Sequence, residues 1–196
     1  MIKILTISGS LRKASSNTAM LNAAGFLASK TNKDIEITLY SPSYLEAIPH
    51  FNPDRETSGD IPEAVINFRN ALVEADGILI ASPEYVGGVV GALKNAFDWM
   101  IGSFGLDIYQ KPFAIINISS RATKSYEDWK VIIRTMGGNL IEPASLHIPL
   151  PNNTVTVDSI INNFKLSNAL CKVIQEFGNA ILIGNTQNQG IKTNES

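Results

Sequence analysis

Apolar and polar positions along this chain fall into two alternating kinds of stretch. Short runs rich in Ile, Leu, Val and Phe lie at Lys3–Ser8, Ile35–Tyr40, Gly77–Ser82, Phe113–Ser119 and Ser145–Ile148, and each reads as a strand. The first, third and fourth are nearly continuous apolar runs, as expected of strands covered on both faces. Between them the apolar spacing is helical. Thr18–Ser29 carries Met20, Leu21, Ala24 and Leu27, and Pro62–Glu74 begins with proline near its first turn and repeats Val65, Phe68 and Leu72. Gly91–Ile101 carries Leu93, Phe97 and Met100, while Tyr126–Met136 runs into Gly137-Gly138, a natural helix stop. Asp158–Ile183 reads as one long C-terminal helix with Asp158 or Ser159 near its cap. Tyr44–Gly59, holding Pro49, Pro53 and Gly59, is expected to be a long loop. Asn185–Ser196 is expected to be a flexible polar tail, which leaves residues 1–184 as one domain.

Strands alternating with helices define an α/β domain with a mostly parallel sheet. Right-handed crossovers then put helices on both faces. Five such strands fit the flavodoxin-like three-layer sandwich of order 2-1-3-4-5, whose ligand lies beyond the carboxyl ends of strands 1, 3 and 4. Three unusual segments fall at those ends: Gly9–Thr18, Pro83–Gly88 and Ser119–Thr123.

The first segment reads Gly-Ser-Leu-Arg-Lys-Ala-Ser-Ser-Asn-Thr. A glycine permits a sharp turn out of a buried strand, and the new helix aims its free N–H groups and positive dipole end back at that turn. Ser10, Ser15, Ser16, Asn17 and Thr18 add side-chain donors, and Arg12 adds a two-pronged guanidinium. The dinucleotide fingerprint needs more glycines and an acid at the tip of strand 2. Here only Gly9 is present, and strand 2 runs into Leu39, Tyr40 and Ser41, so a terminal monophosphate suits the loop better. The plainer alternative is a polar turn with serine helix caps.

The second segment, Pro83-Glu84-Tyr85-Val86-Gly87-Gly88, lets backbone pass close to a flat ligand and offers the Tyr85 ring beside it. Lys94 and Asp98, four apart, read as a helix-surface ion pair. Asn95 reads as a capping or interface hydrogen-bonder, and Trp99 as a packing residue. Arg121 and Lys124 either attract phosphate or are solvated loop charges, the latter being the simpler reading.

With 196 residues the chain is long enough for one substantial core. A net charge of -2 gives no pull toward nucleic acid or an acidic membrane surface. No apolar run approaches the ~20 residues of a membrane span. Met1-Ile2-Lys3-Ile4 leads straight into a strand without a signal-peptide pattern, so a cytoplasmic protein is expected. Cys171 is the only cysteine, and His50 and His147 lie far apart in sequence, so no metal site is expected.

Gly9-Ser10-Leu11-Arg12-Lys13 with Ser15 and Asn17, Pro83-Glu84-Tyr85, Leu93-Lys94-Asn95-Ala96 and Asp98-Trp99 together resemble the NADPH-dependent FMN reductase family, which includes quinone, azo-dye and chromate reductases. The Ala75-Asp76-Gly77 lead-in to strand 3 is also similar. The resemblance runs from the N-terminus to about Ile183. It implies that Ser10, Arg12, Ser15 and Asn17, with Ser16 and Thr18 adjacent, hold the phosphate of FMN. It likewise implies that Pro83, Glu84, Tyr85, Val86 and Gly87 lie beside the isoalloxazine ring, with Ser119 and Ser120 at its other edge.

The activity implied is transfer of a hydride from NADPH or NADH to flavin N5, then of two electrons to a flavin, quinone, azo compound or similar small acceptor. No catalytic side chain is required. The alternative is an electron carrier that binds FMN without oxidising nicotinamide; such carriers usually dock through strongly acidic surfaces, which the modest net charge does not supply. Family members are typically homodimers or homotetramers, and the apolar helix at Gly91–Ile101 fits such a contact, unless Phe97, Trp99 and Met100 simply pack on their own sheet. The chain departs from the family at Val86, where many members have asparagine, at Val90 in place of a frequent proline, and at Arg121–Lys124 in place of a glycine-rich stretch.

Overall fold

The computed structural model describes residues 1–101, 108–119, 123–150 and 155–192. β1 (Ile2–Ser8) lies inside a parallel sheet, between β2 (Ile35–Tyr40) and β3 (Gly77–Ala81). Register runs from Ile2↔Ile35 to Ile7↔Tyr40 on one side and from Ile4↔Gly77 to Ser8↔Ala81 on the other. β6 (Pro112–Asn117) pairs with β3, also parallel. Because side chains alternate along a strand, Ile2 and Ile4 enter one core while Leu5 and Ile7 enter the other. This two-sided burial is why β1, β3 and β6 read as continuous apolar runs.

The fifth strand of the expected 2-1-3-4-5 order is present in two pieces. β7 (Asn139–Leu140) pairs with the start of β6, and β8 (Leu146–His147) pairs with its end. A 3-10 turn, Glu142–Ala144, separates them. Pro143 has no N–H for a ladder, and the Ser145 hydroxyl takes the place of a strand acceptor, receiving the Ile115 N–H at 3.1 Å.

α1 (Ser16–Thr31) and α8 (Phe164–Lys192) cover one face, burying Met20, Leu21, Leu170, Phe177 and Ile181. α4 (Glu63–Glu74), α5 (Gly91–Asp98) and α6 (Lys124–Thr135) cover the other with Phe68, Leu72, Phe97, Trp99 and Trp129. Three layers result: the flavodoxin-like arrangement. Phe97, Trp99 and Met100 are all buried in their own chain's core, so they lend no support to an intermolecular contact.

Two stretches differ from expectation. Tyr44–Gly59 is not a continuous loop: it overlaps α2 (Pro42–Glu46) and contains α3 (Pro53–Ser58), each with proline in its first turn, where the missing N–H costs nothing. The Asn52 side chain caps α3 by accepting from the Asp54 N–H at 2.9 Å. The intervening chain is clamped from α5. Asn95 accepts from the Phe51 N–H at 2.8 Å and donates to the Pro49 carbonyl at 3.0 Å, and the Trp99 indole donates to that same carbonyl at 2.8 Å. The C-terminal helix is also divided. α7 (Val157–Ile161) opens with a Thr156/Ser159 capping box. The Asn163 side chain then receives the Leu166 N–H at 3.1 Å where α8 begins, and α8 continues through Lys192, past residue 184.

Candidate functional site

The carboxyl ends of β1, β3 and β6 converge on one cavity of about 170 Å³. Ser10, Arg12, Ser15, Ser16 and Asn17 form one wall, Ser82, Pro83, Glu84 and Tyr85 the second, and Ile118 and Ser119 the third. Nine of the residues singled out in the sequence thus meet, although they come from three separate segments.

The first wall is a cluster of buried hydroxyls. Ser10, Ser15, Ser16 and Asn17 are each less than a tenth exposed. Ser15 is the N-cap of α1, its oxygen accepting from the Thr18 N–H at 3.2 Å. Ser10 is tied back to the strand, its N–H donating to Ser8 Oγ at 3.3 Å, and its own Oγ receives the Arg12 N–H at 3.4 Å. Asn17 Oδ1 is buried with no hydrogen-bond partner. A buried polar atom left unpaired is costly. Turned by half a rotation, the same amide presents its N–H₂ to an anion. The Arg12 side chain is exposed at the rim, where a guanidinium can close over a phosphate.

Gly9 works differently from the sequence argument. It does not adopt a left-handed backbone; what it provides is space. A Cβ there would lie 2.7 Å from both Ser82 Oγ and a Val90 methyl, so the missing side chain lets β1's end pack against the second wall. The Gly9 N–H still donates to the Ala81 carbonyl at 2.9 Å.

The second wall continues into a small hairpin, β4 (Glu84–Tyr85) and β5 (Gly88–Val89), antiparallel with Glu84 opposite Val89. Val86 and Gly87 form its tip at φ 53° and 70°. Both are exposed, and neither lines the cavity. Thr18 also lies apart: its hydroxyl donates to Ser8 Oγ at 2.8 Å, bracing the loop from behind. Ser120 falls outside the described residues. Glu84 borders the cavity, but its carboxylate reaches α6, accepting from the Ser125 N–H at 2.8 Å.

Several contributors escaped the sequence reading. Ser82 and Ile118 line the cavity. Asn117, buried at the end of β6, holds the Ser119 N–H through its side-chain oxygen at 2.9 Å, and His147 Nε2 lies 3.2 Å from the Ser119 carbonyl. A buried asparagine inside an apolar run was the available signal. A larger cavity of about 640 Å³, lined by Leu5, Tyr40, Tyr44, Asn67 and Ala71 among others, includes no lysine or arginine. Of the two, the smaller one is bordered by a guanidinium, that of Arg12.

A parallel flavodoxin-like sheet with a hydroxyl-rich loop leading from its first strand into a capped helix is the architecture of a class of mononucleotide-binding α/β proteins. Residues 2–150 match the family described as NADPH-dependent FMN reductase, and the chain belongs to that family. It is 44% identical over 100 residues to an NAD(P)H:quinone oxidoreductase of Solanum tuberosum, covering 50% of this chain and 49% of the relative. It is 39% identical over 119 residues to an NAD(P)H-dependent FMN reductase of Pseudomonas aeruginosa, covering 61% and 60%. The chain spans about half the length of the first of the curated relatives it matches. Among solved structures, a flavoenzyme NAD(P)H:(acceptor) oxidoreductase of Paracoccus denitrificans superposes with a TM-score of 0.71 at 22% identity, covering 91% of this chain and 98% of that one. A flavodoxin, WrbA-like protein of Agrobacterium tumefaciens gives 0.57 at 14% identity, covering 92% and 98%. These two likenesses concern the fold.

Proposed function

We propose that this chain is an FMN-dependent oxidoreductase that takes a hydride from NADPH or NADH and delivers two electrons to a small acceptor of the quinone or flavin class. The observation that carries the reading is the buried, unpartnered Asn17 oxygen beside the Ser15 cap and Arg12, at the N-terminus of α1. With the Asn17 amide turned so that its N–H₂ faces inward, that donor set fits a phosphate monoester. Ser10, Arg12, Ser15, Ser16 and Asn17 would hold the phosphate, and Pro83, Glu84, Tyr85 and Ser119 would border the ring. When bound, FMN supplies the redox chemistry, accepting a hydride and releasing electrons.

The protein's part is placement. The helix N-terminus and Arg12 neutralise the phosphate dianion. Backbone donors on the Glu84–Gly88 segment suit the polar edges of a flat heterocycle, whereas the Ser119 N–H is already held by Asn117. Tyr85, 53% exposed, is available to a second ring at the open side, which fits one pocket serving donor and acceptor in turn. Thr18 acts behind the loop, through Ser8.

The purified protein tests this directly. It is expected to show, with added FMN, the visible bands of oxidised flavin, and NADPH or NADH is expected to bleach them without oxygen. Arg12→Ala is expected to weaken FMN binding by roughly 10- to 100-fold, the loss of a charge-assisted contact, and to leave riboflavin binding unchanged. Equal loss for both ligands would refute the phosphate assignment, and flavin that stays oxidised with both nucleotides would refute the activity. Assembly as a homodimer or homotetramer belongs to the same proposal. It is supported by Ile101 and Val131, both exposed along the groove between α5 and α6. Elution at the monomer mass of 21.3 kDa would overturn it. A cytoplasmic location is part of the proposal too; among the described residues, no helix is long and apolar enough to cross a membrane.

A further inference from the structure

Helix α6 starts without a cap of its own. Thr123, at the N-cap position, has φ −84° and ψ −30°, and its side chain makes no capping bond. The Ser125 N–H in the first turn is instead received by Glu84 Oε2, 41 positions away in the chain. Ser125 is 1% exposed and Glu84 half-buried, so this contact is partly shielded from water. A carboxylate at a helix N-terminus combines a charge-assisted hydrogen bond with a favourable dipole.

The hairpin that carries Glu84 rests on α6 and the core through Val89 of β5, while on the β4 strand the Glu84 carboxylate is the side chain bonded to α6. Each strand has two residues, and the tip holds Val86 in a left-handed conformation. Pairs that short do not hold themselves in water. Successive strand residues point to opposite faces, so anchoring Glu84 on α6 sends Tyr85 the other way.

We propose that Glu84 is a positioning residue: by capping α6, its carboxylate fixes the Tyr85 hairpin at the flavin ring and ties the carboxyl ends of β3 and β6 together. This rests on the FMN reading above. Disturbing the cap therefore changes how the ring is held, as well as the stability of α6.

The test compares Glu84→Asp and Glu84→Gln with the parent, in the full chain. Aspartate keeps the charge but falls one methylene short of Ser125; glutamine keeps the reach and an acceptor but loses the charge. Amide hydrogen exchange is followed at Ser125–Asp128 and at Tyr85–Val89 without flavin, followed by FMN titration and visible circular dichroism at saturation. Glu84→Asp is expected to speed exchange in both segments together, weaken FMN roughly tenfold and alter the dichroism of the saturated complex. Glu84→Gln is expected to fall between it and the parent on all three. Faster exchange confined to α6, with unchanged dichroism, would reduce Glu84 to a helix cap and overturn the proposal. A parent protein that binds no FMN would remove the cofactor reading instead. The exchange data would then decide alone whether hairpin and helix are linked, and independent loosening of the two would sink the link.

Discussion

Val86 sits at the tip of a two-residue hairpin with φ 53°, and Gly87 follows at φ 70°. Two consecutive residues of positive φ make the type I′ connection, whose twist suits a hairpin and whose preferred residues are Asn-Gly. Valine is a poor occupant, because a left-handed backbone costs an L-residue about 1–2 kcal/mol and a β-branched one is a genuine outlier there. Its side chain is fully exposed, so no packing offsets that cost. Val86→Asn is therefore expected to stabilise the hairpin by about 1 kcal/mol. Gly87→Ala supplies the opposite sign. A Cβ there meets nothing within 4 Å, so the change isolates the backbone term and is expected to cost about 1 kcal/mol. Native-state hydrogen exchange at Tyr85–Val89 reads both: about fivefold slower for Val86→Asn and about fivefold faster for Gly87→Ala. The reasoning fails if the two variants shift in the same direction, or if exchange in Val86→Asn is faster than in the parent.

Ser15→Ala removes the α1 cap and is expected to cost about 1 kcal/mol in urea denaturation, with weaker FMN binding alongside. Asn95→Ala strands the Phe51 N–H and removes one donor from the Pro49 carbonyl; a loss of about 2 kcal/mol is expected, with exchange at residues 48–51 rising most. Tyr40 and Tyr126 have raised pKa values, burial being the largest cause in each. Their folded values exceed the ordinary 10.0, so the stability they contribute is complete below pH 10 and is lost as pH rises through those folded values. Ultraviolet titration is expected to show these phenols ionising after ordinary tyrosines, and two phenols titrating normally in Tyr40→Phe/Tyr126→Phe-sensitive bands would contradict it.

Most of the sheet was legible because β1, β3 and β6 are buried on both faces and leave continuous apolar runs. The fifth strand was only partly so: its pairing is completed by the Ser145 hydroxyl and interrupted at Pro143, features that depend on β6 being alongside. Pro53 reads as loop punctuation, yet it opens a short helix, because a proline tolerated in a first turn looks locally like one that ends an element. In the candidate site, Ser15 and its neighbours were readable since helix capping is a local pattern. The actual partners of Thr18 and Glu84 lie 10 and 41 positions away, beyond any spacing rule. Resemblance located both segments at the pocket; only the fold separated the residues facing it from those bracing it.

The broken fifth strand gives the sheet two unlike margins. On that side, β7 and β8 have two residues each and are parted by the 3-10 turn, too short a template for a foreign strand to extend. The opposite margin, β2, presents six residues paired only on their β1 side. Strand-to-strand association of partly unfolded chains should therefore begin at Ile35–Tyr40, and a charge placed at the exposed Thr38 would protect against it more than any change beyond β6.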